Sequence, residues 1–183
     1  MTEKLRYVTG RGGTAQGGLS AYLATLSKDF NALAIDPDFL AQSFEEQVIA
    51  TRKFCAIDGG HIIANSFGAY LLLQSLIDQP PIPAKVLLLS PVLGRAMDPE
   101  RMLFSRPPRE KTLHTAIEQG RLGLPSEIRI VTGREDEICN WELAKSISDK
   151  LGASISILND EGHMICPEKV SAQISLFRGK SLK

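Results

Sequence analysis

The sequence has no charge bias: 21 Lys and Arg balance 21 Asp and Glu, a formal net charge of zero. A nucleic acid or an anionic membrane surface selects a basic partner, so neither is expected. Long apolar runs are missing as well. The first ten residues, MTEKLRYVTG, contain no signal-like stretch, and no segment reaches the length of a membrane span. Cysteine is sparse. Cys55, Cys139 and Cys166 are odd in number and widely spaced, which suits neither a disulfide framework nor a zinc site. Reduced thiols and a cytoplasmic location are the expectation. There is no repeat, low-complexity tract or evident linker, and 183 residues suffice for one domain with a sizeable core.

What is present is alternation. Short apolar runs at 5–9, 31–35, 61–64, 85–90, 128–132 and 154–158 read as strands. Helical patterns lie between them at 19–26, 43–57, 67–78 and 140–151, and a closing helix spans 167–177. Ser43 with Glu46 three residues on forms a capping-box signature. Near-continuous apolar strands are buried on both faces, so the pattern predicts a three-layer, doubly wound α/β fold with a parallel sheet. Segment 94–126 interrupts the rhythm with Arg, Pro and Met and no strand pattern. It is longer than a crossover needs and is expected to be a cap-like insertion within a single domain.

The third strand runs into Ala64-Asn65-Ser66-Phe67-Gly68 and then an apolar helix. A nucleophile elbow is a strand–turn–helix written G-x-S-x-G, whose flanking positions must be small because the turn is tight. Here Ala stands at the first of them. Ser66 could equally serve as a helix cap. The acid and base decide between these readings. Loops at the carboxyl ends of parallel strands meet at one edge. The fifth strand ends in Glu135, Asp136 and Glu137, and the sixth leads to His163. A serine hydroxyl needs a nearby base to attack at neutral pH, and a carboxylate fixes the tautomer of that base. Asp136 is preferred as the acid. Asp160 would have to fold back within its own loop and ranks second.

With ANSFGA, GREDEI and EGH in these places, the chain resembles the α/β-hydrolase superfamily over nearly its whole length. The family's usual first two strands are missing, so it is similar to the compact members. The resemblance implies a strand order of 2-1-3-4-5-6, with Ser66 as nucleophile, Asp136 as orienting acid and His163 as base. It further implies an oxyanion hole from the N–H of Phe67 and from the loop of Gly10, Arg11 and Gly12. Asn65, Trp141, Met102 and Phe104 are candidate substrate contacts. The expected reaction is hydrolysis of a small carboxylic ester or thioester, without cofactor or metal. The oligomeric state is left open. Two alternatives stand beside this reading. One is a non-catalytic ligand- or partner-binding protein on the same fold. The other is a dinucleotide-binding domain, because Gly10-x-Gly12-x-x-Ala15 fits G-x-G-x-x-G/A and Asp36 closes the second strand. Gly17 and Gly18 lie beyond that fingerprint and suit a broad loop better than a helix start.

Overall fold

A computed structural model describes residues 3–96 and 106–179. Among the described residues the chain forms six strands: β1 (Lys4–Arg11), β2 (Asp29–Ile35), β3 (His61–Asn65), β4 (Lys85–Leu89), β5 (Glu127–Gly133) and β6 (Ser154–Leu158). All pairings are parallel, in the order β2-β1-β3-β4-β5-β6. Seven helices are interleaved: α1 (Gly18–Leu26), α2 (Pro37–Ala41), α3 (Phe44–Cys55), α4 (Ser66–Ser75), α5 (Glu110–Glu118), α6 (Trp141–Leu151) and α7 (Pro167–Phe177). The architecture is that of an α/β hydrolase.

Successive side chains on a strand point to opposite faces, so an apolar run feeds two cores. Ile62 and Ala64 of β3 join Val8, Val86, Leu88 and Ile130 beneath α3, α4, α5 and α6. Ile63 of the same strand joins Leu5, Tyr7, Leu87 and Val131 beneath α1 and α7, where Leu23, Ile174 and Phe177 close the layer. Helix α4 is buried at every position from Phe67 to Ser75. A helix apolar all round belongs inside a protein, and this one lies between the sheet and α3.

Three features differ from the sequence expectation. Helix α2 was not expected. Asp36 caps it by accepting from Phe39 N–H at 2.8 Å, and Pro37 occupies its first turn, where a missing N–H costs nothing. Helix α4 stops at Ser75 rather than 78, and Asp78 is left-handed at φ 54°. Within 94–126 the described residues contain α5, which buries Leu113, Ala116 and Ile117. The stretch before α5 is tied to α4: the Tyr70 hydroxyl donates to the Pro108 carbonyl, and the Gln74 amide donates to that of Arg109 at 3.1 Å.

The capping box on α3 forms in both directions. Ser43 Oγ accepts from Glu46 N–H at 3.3 Å, and Glu46 Oε2 accepts from Ser43 N–H at 2.8 Å. Replacing Ser43 with Ala should lower unfolding free energy by about 1 kcal/mol. Urea denaturation checks this, with a lowered midpoint and an unchanged slope as the expected outcome.

Candidate active site

The site begins with how closely α4 crosses the sheet. A Cβ on Gly68 would lie 2.1 Å from the Thr9 carbonyl oxygen and 2.9 Å from that of Val8. Only glycine lets the first turn of α4 rest on β1 at this separation. Gly10 is the counterpart on β1, where a Cβ would stand 3.3 Å from Ser66 Cβ and from Asn65 Nδ2. Ala64 is fully buried, and its methyl fits where the usual motif has glycine. Between these small residues Ser66 holds φ 51°, a left-handed conformation costing a non-glycine residue about 1–3 kcal/mol. Ser66 is the first residue of α4, and the N-cap position falls to Asn65, whose side chain makes no capping bond. The simple reading of Ser66 as a cap therefore does not describe it.

The hydroxyl raised by this turn meets a histidine. Ser66 Oγ lies 2.9 Å from His163 Nε2, across 97 positions of sequence. On the far side of the ring, Nδ1 is 3.0 and 3.1 Å from the two Asp136 oxygens. The Asp136 side chain is fully buried, and its Oδ1 also accepts from the N–H groups of Ile138 at 2.9 Å and Cys139 at 2.7 Å. A carboxylate held this way accepts from Nδ1–H, which leaves the Nε2 lone pair facing the serine. Asp160 is exposed at a left-handed turn and has no such place.

The loop before His163 is fixed from beneath. Glu161 carboxylate oxygens accept from Cys166 N–H at 2.8 Å and pair with Lys169 at 2.6 Å. The hydrogen bond to Lys169 holds the Glu161 carboxyl below its ordinary pKa. The Glu161 carbonyl accepts from Glu135 N–H at 2.9 Å, which ties the histidine loop to the acid loop. Gly133 makes room for that contact, since its Cβ would lie 2.0 Å from the same carbonyl.

The glycine-rich loop after β1 divides its amides. Gly12 N–H donates to the Ile35 carbonyl at 2.8 Å, so this expected oxyanion donor already has a partner within the protein. Gly13 N–H turns back to the Gly10 carbonyl at 2.9 Å. Arg11 stands beside the serine turn, its guanidinium 5.9 Å from the Phe67 ring centre. Helix α1 opens at Gly18, after the Gly10–Ala15 fingerprint rather than within it, and Asp36 is occupied in capping α2. Neither arrangement suits a bound dinucleotide.

The serine hydrolase family model matches residues 41–171. The chain belongs to the serine hydrolase family. The hydrolase has the fold of many solved structures. With the ydeN gene product of B. subtilis it shares 13% identity at a TM-score of 0.68, over 98% of this chain and 100% of that one. With the monoacylglycerol lipase of Paleococcus ferrophilus the values are 14% and 0.67, over 99% and 98%. With α/β hydrolase domain-containing protein 10 from mouse they are 11% and 0.66, over 96% and 88%. No curated protein matches the sequence.

Behind His163 the hydrolase holds a cavity of about 610 Å³, within the range of small-molecule sites. It lies between α1 and α7 at the carboxyl ends of β3 and β4. Its walls are largely apolar, with Leu19, Tyr22, Leu89 and Ile165, and they include His163 and Asn65. Below Asn65, burial pushes the Tyr7 phenol up to about 12, partly offset by a hydrogen bond with the Asn65 side chain. Trp141 is not on these walls. It opens α6, with the Arg134 guanidinium 4.6 Å from its ring centre. Met102 and Phe104 lie outside the described residues. Ser90 is on the wall and was missed by sequence reasoning; no motif marks it, only its place after an apolar strand. Among the described residues, no cluster of side chains suits a metal ion and no helix is long and apolar enough to cross a membrane.

Burial raises the thiols of Cys55 and Cys139 to about 12 each, whereas Cys166 is partly exposed. Alkylation requires a thiolate that reagent can reach. Iodoacetamide near neutral pH should therefore label the native protein at Cys166 alone and all three cysteines after unfolding. Peptide mass mapping reads the outcome.

Proposed function

We propose that this hydrolase cleaves a small carboxylic ester or thioester through an acyl-enzyme on Ser66, with His163 as general base and Asp136 as its orienting acid. The observation that carries the proposal is the 2.9 Å approach of a strained, left-handed serine to His163 Nε2. In this mechanism Ser66 Oγ attacks the carbonyl carbon as Nε2 takes the hydroxyl proton. Asp136 stabilises the imidazolium that forms. The tetrahedral oxyanion accepts from Phe67 N–H, one of the first amides of α4. Those amides have no partner in their own helix, and Asn65 does not cap them. The second donor comes from Gly10 or Arg11, since Gly12 N–H is taken by Ile35. His163 then returns its proton to the leaving group, and water repeats the sequence to free the acid. Within segment 94–126, α5 packs its Leu113, Ala116 and Ile117 into the core against the sheet face, so this part is a crossover between β4 and β5 and not a cap over the edge.

A fluorophosphonate probe should label Ser66 in the wild type, and Ser66→Ala should take no label. Against a p-nitrophenyl ester, Ser66→Ala should reduce kcat by about four to six orders of magnitude. Wild-type protein that folds but never labels would overturn the acyl-enzyme and favour a ligand-binding role. Asp136→Asn should lose about a thousandfold or more in turnover, because the ring is then held in the wrong tautomer. Steady-state assays beside Asp160→Asn check the choice of acid: a crippled Asp160→Asn with a near-normal Asp136→Asn would reassign it.

A further inference from the structure

The apolar stripes of α1 and α7 continue beyond the core they close. Leu23 and Ile174 are fully buried in the layer that these two helices share. Leu19 and Val170 stand four residues earlier, so each lies on the same helix face as its buried counterpart. Both are only partly buried, and both line the cavity of about 610 Å³ behind His163. Met164 follows His163, is 85% exposed and lines the same cavity. Apolar surface of this kind, left to water beside a reactive histidine, is a surface that a ligand can cover.

The polar groups on the wall are mostly engaged elsewhere. The Asn65 side chain bonds with the Tyr7 phenol, and Ser171 Oγ donates to the Glu168 carbonyl at 3.0 Å. The Ser90 hydroxyl is buried away from the cavity. Among the described residues, the wall has no lysine or arginine to receive an anion. A cation would sit against His163 as it becomes imidazolium, so neither charge suits this space. The wall includes His163 but none of Ser66, Phe67, Gly10 and Arg11 among the described residues. When the ester C–O bond breaks, its electron pair goes to the alcohol oxygen, which takes the proton from Nε2. The acyl carbon stays bonded to Ser66 beside the oxyanion donors. The cavity is therefore on the leaving-group side.

We infer that the cavity between α1 and α7 seats an uncharged hydrocarbon alcohol portion of the substrate ester, and that Leu19 and Val170 set the chain length it accepts. The inference rests on the proposed ester hydrolysis. Each methylene that becomes fully buried there raises kcat/KM by about fourfold, so a few added carbons give a readable preference.

The test uses two ester series. One holds the acyl group as butyrate and varies the alcohol from methyl to pentyl; the other holds the methyl ester and varies the acid from butyrate to octanoate. Acid release is followed by titration at constant pH, below the solubility limit of each ester. In wild-type protein, kcat/KM should rise by at least about tenfold from methyl to pentyl butyrate. Val170→Phe extends into the cavity, and Leu19→Asn removes apolar wall without filling it. Each should lower the pentyl-to-methyl ratio by about tenfold and leave the octanoate-to-butyrate ratio within about twofold of wild type. Circular dichroism verifies folding, and the wild-type series decides alone if a variant does not fold. A flat alcohol series in the wild type would overturn the inference. So would variants that change the acyl series instead, which would place the acyl chain in the cavity. Wild-type protein that hydrolyses none of the esters also overturns it, and fluorophosphonate labelling of Ser66 then tells whether the acyl-enzyme falls too.

Discussion

The close crossing of α4 over β1 is the constraint on which the site depends. Thr9 carbonyl oxygen would be 2.1 Å from any Cβ at position 68, so the helix can start where it does only on glycine. That start forces the chain to reverse within one residue after β3. The residue at the reversal is Ser66, and its positive φ follows from the crossing rather than from any property of serine. The same reversal leaves the first amides of α4 open at the carboxyl edge of the sheet, with no side-chain cap across them. A raised hydroxyl and a helix start without a side-chain cap thus have one geometric origin.

Rigidity on the opposite side comes from polar contacts instead of packing. Asp136 is oriented by two backbone amides, and Glu161 ties its own loop to the acid loop through Glu135 and to α7 through Lys169. A histidine on an otherwise exposed loop is held in register by a buried carboxylate on one side and a clamped loop on the other. Ring orientation is then a property of the whole edge formed by β5 and β6.

Much of this was legible in the sequence because parallel strands buried on both faces read as unbroken apolar runs. Ile62-Ile63-Ala64 and Val86 to Leu89 could be little else. Asp136 and His163 were placed near Ser66 by topology, which brings loops after successive strands to one edge. The features that escaped are those written in the backbone. The partner of Gly12 N–H depends on where β2 ends, which no side chain announces. Ser90 looks like an ordinary strand-end serine until its left-handed φ is seen. Helix α2 is only five residues long, though Asp36-Pro37 is a recognisable start. Helix α5 begins at a left-handed Arg109 without a side-chain cap, so its opening carries no signal, although Leu113, Ala116 and Ile117 have helical spacing.

The distance in sequence between Ser66 and His163 has a consequence for how the molecule reports on itself. Their contact closes a loop of 97 positions, and β4 with β5 must both be seated before the two loops can face each other. Strand β4 supplies no atom to the Ser66, His163 and Asp136 contacts, yet it sets the spacing between the strands that do. The 2.9 Å contact is therefore a gauge of the finished sheet. A lesion anywhere across its four central and outer strands is registered at one hydroxyl, and silence at that hydroxyl does not by itself say where the lesion lies.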